Sequence, residues 1–180
     1  RLLCLAGCAD SVEELVAVVS AEPNPAAIAS LGRLGHWASV EALLGLLHGD
    51  DDDVKQACAD ALEFMTGAGL FTEVEVPWEI EIPNELPEGT PPVPTRTERR
   101  TITDPSTWRQ WIDANGGSFD VEKKWRGGRP FVPHMLIDEL LGPAGRRQRA
   151  DAILELQLAT GLRSPFRVND WVVRQRQHLA

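Results

Sequence analysis

The chain contains no tyrosine, three cysteines and two methionines in 180 residues. So few cysteines exclude a disulfide framework and point to a reducing compartment. Cys4 and Cys8 are spaced to share a helix face, but no further Cys or His follows at metal-ligand spacing. Buried small side chains are the expected role for both. No apolar run approaches the roughly 20 residues that span a bilayer, and the basic, apolar and small-residue pattern of a secretory leader is missing. The first residue is Arg1 and Leu2 to Ala6 reads as a helix interior, which predicts a C-terminal piece of a longer protein with more sequence upstream.

Motifs of chemistry are also lacking. His36, His48, His134 and His178 have no Cys, Asp or Ser at a recognisable catalytic spacing. Gly127-Gly128 is not followed by the lysine and hydroxyl residue of a phosphate-binding loop. Asp50 to Asp53 lacks the glycine and distal glutamate of a calcium loop, so these acids read as solvated capping residues. The arginines at 146, 147 and 149 read as a solvated helix start. No catalytic residue, metal or cofactor is expected.

What the chain does have is a lopsided charge. Residues 1–88 carry three bases against 17 acids, a net of −14, while residues 89–180 carry 15 bases against 10 acids, a net of +5. An acidic half of that strength attracts a cationic partner and repels phosphate backbones, which disfavours nucleic acid.

A repeat also shows. A shift of 28 residues lays Leu3, Gly7, Ser11, Val12, Glu13 and Leu15 on Leu31, Gly35, Ser39, Val40, Glu41 and Leu43. Within the second unit, Ala27, Ile28, Leu31 and Leu34 fall on one helix face, and Gly35 sits where that helix must stop. Ser39 is placed to cap the next helix, whose apolar face is Val40, Leu43, Leu44, Leu46 and Leu47. Val54 to Thr66 begins the pattern again and Gly67 ends it.

From Glu73 the period changes to two. Val74, Val76, Trp78, Ile80 and Ile82 alternate with Glu73, Glu75, Glu79 and Glu81, interrupted by Pro77. That predicts an extended segment with one apolar and one acidic face, an edge or an arm packed on the helices. Residues 83–95 hold five prolines and read as a boundary without regular ladder or helix. Helices resume after Asp104-Pro105, at Pro133 to Leu141, at about Arg146 to Thr160, and after Asn169-Asp170. Most of the six tryptophans are expected in the core, with one or two at an interface.

The runs Ala29-Ser30-Leu31-Gly32-Arg33-Leu34-Gly35 and Ser39-Val40-Glu41-Ala42-Leu43-Leu44 resemble short HEAT-like repeats of the phycobilisome-lyase type. Asp53-Val54 with Ala57, Ala61, Leu62, Thr66 and Gly67 continues the likeness. The resemblance implies a mainly α fold. Residues 1–70 would be HEAT-like repeats of an α-solenoid, the end of a longer array, and 71–103 an extended acidic and then proline-rich connector. Residues 104–180 would form a helical C-terminal part that continues the stack or caps it.

Trp108-x-x-Trp111, Phe119, Trp125-Arg126-Gly127-Gly128-Arg129-Pro130 and Arg149-Ala150 with Glu155-Leu156 resemble an uncharacterised bacterial HEAT-like family. Some of its members lie near type VI secretion effector genes. That likeness implies an immunity or accessory protein of the bacterial cytoplasm, one that inhibits a basic secreted toxin such as a nuclease. A scaffold or adaptor subunit, and a HEAT-like lyase or DNA-binding enzyme, are the alternatives. The residues expected to meet a basic partner are Asp50, Asp51, Asp52, Asp53, Glu73, Glu75, Glu79, Glu81 and Trp78.

Overall fold

Asn24 stands in extended conformation and its side chain accepts the Ala27 backbone N–H at 2.9 Å. This supplies one of the partners that a first helical turn lacks. The helix it starts, α2 (Pro25–Leu34), stops at Gly35, whose φ of 74° is the left-handed region a side chain avoids. These residues belong to a computed structural model that describes residues 12–77, 95–142 and 145–161. Trp78, Glu79 and Glu81, Cys4 and Cys8, and the helix expected after Asn169-Asp170 lie outside the described residues.

Before α2 comes α1 (Val12–Ala21). After it, a short 3-10 turn (Trp37–Ser39) leads into α3 (Val40–Leu46), and α4 (Asp52–Thr66) follows. Val12 in α1 and Val40 in α3, 28 residues apart as in the sequence repeat, are both buried. The cap expected at Ser39 does not form. Its backbone is already helical (φ −81°, ψ −12°) because the 3-10 turn starts the helical path early. The buried Ser39 hydroxyl instead donates to the His36 carbonyl at 2.8 Å. Asp51 does cap α4, accepting the N–H groups of Asp53 and Val54 at 2.9 and 3.1 Å.

α2 lies directly on α4, and a Cβ added at Gly32 would come within 2.5 Å of the Ala61 Cβ. Ile28, Leu31, Leu34, Leu43, Leu47, Cys58, Leu62 and Met65 fill the core around this meeting point.

The segment after α4 is extended, as its alternation predicts, but it is paired. β1 (Phe71–Pro77) runs antiparallel to β2 (Thr95–Thr101), in a register that sets Phe71 against Thr101 and Glu73 against Arg99. β2 corrects the reading of 71–103 as a connector alone, and its first described residue, Thr95, falls inside the stretch expected to hold no ladder. The ladder reaches Pro77, the last described residue on this side, which pairs with Thr95.

α5 (Pro105–Asn115) follows with Asp104 as its cap. Hydrogen bonds from Ser106, Thr107 and the Thr107 backbone hold the Asp104 carboxyl down at about 2. A tight hairpin, β3 (Trp125–Arg126) and β4 (Arg129–Pro130), then packs on the end of α4. Gly127 and Gly128 donate their N–H groups to the Phe64 and Met65 carbonyls at 2.8 and 3.0 Å. α6 (His134–Leu141) and α7 (Arg146–Thr160) form the last described pair and share a small core of Leu136, Leu140, Ala152 and Leu156. No helix among the described residues is long and apolar enough to cross a membrane.

Candidate functional site

The acidic run stands at the turn between α3 and α4, where all four carboxylates are exposed. Their roles differ. Asp51 is committed to the helix cap, and Asp52 pairs with Lys55 one turn along. The hydrogen bond that Lys55 donates to Asp52, with weaker attraction from Asp50 and Asp51, raises the Lys55 pKa. Among the described residues no ion pair is formed by Asp50 or Asp53. The α4 start carries the positive end of the helix dipole, so the cluster is stabilised locally while facing solvent.

Glu73 and Glu75 project from β1 into a different setting. The neighbouring strand brings Arg96, Arg99 and Arg100, and Glu75 accepts a hydrogen bond from Thr95 Oγ1 at 2.9 Å. Within β2 itself Glu98 is held between Arg96 and Arg100 at 2.6 and 3.1 Å, and those two hydrogen bonds lower its pKa. Arg99 lies over the Phe71 ring, 3.7 Å from its centroid. The hairpin therefore presents mixed charge, and the turn at 50–53 is the more purely acidic surface.

Sequence reasoning does not foresee a third feature, a charged cluster between the helical parts. Glu155 is 1% exposed and meets three cations: Arg126 at 2.7 Å, Arg33 at 3.5 Å, and Lys124. Glu139 pairs with Arg33 at 3.0 Å and with Arg126 at 2.9 Å. Phe64 and Phe131 lie against the guanidinium of Arg126, at 5.0 and 4.8 Å from their ring centroids. Burial lowers the Lys124 pKa and Glu155 opposes that shift. The signal that the sequence does carry is a charge set into an apolar stretch: Arg33 between Leu31 and Leu34, Glu155 between Leu154 and Leu156.

His36 is buried beside this region, and desolvation, then Lys124, lower its pKa. A depressed imidazole is neutral in the fold yet takes a proton in the unfolded chain below its ordinary value near 6.5. Stability is therefore expected to fall as pH drops from that value toward the folded pKa, because the unfolded state binds more protons. Thermal melts between pH 7 and 5 check this; His36→Gln should flatten that part of the profile. The buried Cys58 thiol is pushed up to about 12, which leaves it unreactive. Among the described residues no three His, Cys, Asp or Glu side chains gather as a metal ion would need.

The described residues thus make a mainly helical protein with two small antiparallel hairpins. No protein-family model, curated protein or solved structure matches it.

Proposed function

We propose that this chain is a non-enzymatic protein-binding module whose stacked helical pairs offer an acidic surface to a basic protein. The observation that carries the reading is the exposed turn at Asp50 to Asp53, where Asp50 and Asp53 face solvent beside two acids engaged locally. Two further features support it. α2 rests on α4, the first helix of one unit on the first helix of the next, which is how an α-solenoid shares its core. The burial of Val12 in α1 and of Val40 in α3, 28 residues apart in the sequence, agrees with such units. Together with the likeness to the bacterial HEAT-like family, this favours an immunity protein that neutralises a secreted toxin. A nuclease suits the role, since a site that holds phosphates is electropositive and an acidic inhibitor associates with it quickly.

The test is association with the basic protein encoded by the adjacent gene. Asp50→Lys/Asp53→Lys is expected to slow association about tenfold at low ionic strength and to flatten its salt dependence. Dissociation should change little, because rim charges act mainly on encounter. Unchanged association would refute the assignment of this surface. Co-purification with several unrelated proteins would favour a scaffold.

A further inference from the structure

Two apolar clusters organise the described residues. The larger runs from Val12 through α2, α3 and α4 to Ile112, and the smaller joins α6 to α7 with Phe131, Ile137 and Ile153 against it. They share no residue. The charged cluster lies between them, and its signs are segregated. Both carboxylates, Glu139 and Glu155, come from the small cluster's helices. All three cations come from the other side: Arg33 from α2, Lys124 and Arg126 from the β3 hairpin that is fastened to α4.

Solvent reaches the margins of this junction. Two clefts open to solvent border it, one of about 340 Å³ between Ala29, Ala57, Phe64 and Gln148, the other of about 380 Å³ between Phe64, Arg126, Met135 and Glu139. The buried Nε of Arg126 makes no hydrogen bond among the described residues, and that of Arg33 meets Glu155 at 3.5 Å without hydrogen-bond geometry. A buried ion pair gives little net stability, since desolvation of both charges offsets their attraction, and each unsatisfied N–H reduces it further. The larger cluster is instead closed by apolar packing and a direct helix-on-helix approach.

We propose that α6 and α7 form a detachable cap, docked through Glu139 and Glu155 onto the cradle of Arg33, Lys124 and Arg126, that opens as a unit while the main core stays folded. Local opening of this kind follows the weakest junction of a structure. Opening bares three cations, Arg33, Lys124 and Arg126. The proposal stands on the cluster's geometry and does not depend on the partner reading.

Hydrogen exchange on the intact chain, with and without sub-denaturing urea, tests it. Amides of α6 and α7 are expected to exchange together, at least about tenfold faster than those of Leu31 to Leu34 and Cys58 to Met65, with a smaller urea dependence. Glu155→Gln strands buried cations and should raise exchange in α6 and α7 about 100-fold, leaving α2 and α4 unchanged. Equal rates and equal urea slopes in both regions of the native chain would overturn the proposal. So would a Glu155→Gln chain that loses protection in α2 and α4 to the same extent.

Discussion

Trp108→Ala is expected to lower the free energy of unfolding by about 3–5 kcal/mol, the usual range for emptying a large buried aromatic site. The ring is fully buried. It meets Trp111 edge-on at 6.5 Å, and Trp111 leads on to Phe119 at 6.1 Å. Phe119 in turn stacks on Trp37 at 4.2 Å and tilts against Trp125 at 4.5 Å. This chain of rings ties α5 and the β3 hairpin to the 3-10 turn before α3, and truncation at Trp108 empties its inner end, where α5 packs on the main core. Trp108 also donates its indole N–H to the Ile102 carbonyl at 2.6 Å. Trp108→Phe removes that donor but keeps most of the area, and should cost about 1–3 kcal/mol. Urea titrations at constant slope read both values. A Phe variant as unstable as the Ala variant would place the stabilisation in the hydrogen bond and not in packing.

Much of this arrangement is legible in the sequence because its causes are local. Gly35 and Gly67 end α2 and α4 where a left-handed residue is needed, and Asp51 and Asp104 cap α4 and α5 from one position outside. Trp108, Trp111, Phe119 and Trp125, singled out in the sequence, all belong to the aromatic chain. Ser39 departs from expectation because a cap requires extended backbone, and the turn at Trp37 has already placed it in helical conformation. β2 is hidden for a different reason. Thr95 to Thr101 carries no apolar alternation, and only a distant partner, Phe71 to Pro77, makes it a strand. The charged cluster is equally non-local, with Arg33 and Glu139 separated by 106 residues. Single charges in apolar stretches show that something must neutralise them, but pairing is decided by how the helices meet.

The same logic makes two glycine substitutions diverge in sign. Gly45→Ala in α3 faces open space, with nothing within 4 Å of the new methyl. Alanine is the better helix former by about 1 kcal/mol, so up to that much stabilisation is expected, less near a helix end. Gly32→Ala in α2 has the same propensity gain, but its methyl would sit 2.5 Å from the Ala61 side-chain methyl and 2.7 Å from the Ala61 backbone. The backbone of α4 cannot swing aside, so the helices must separate and the close packing around Ile28, Leu31 and Leu62 loosens. Overpacking of this kind costs about 1–3 kcal/mol, which exceeds the propensity gain over most of its range, and net destabilisation is expected. Ala61→Gly in the same chain removes the nearer clash but leaves the one with the α4 backbone, so the double variant should recover only part of the loss in a double-mutant cycle. Thermal or urea unfolding of the four variants measures this. A Gly32→Ala chain as stable as Gly45→Ala would mean that α2 and α4 do not approach closely at this point, and the stacking that supports the repeat reading would lose its clearest support.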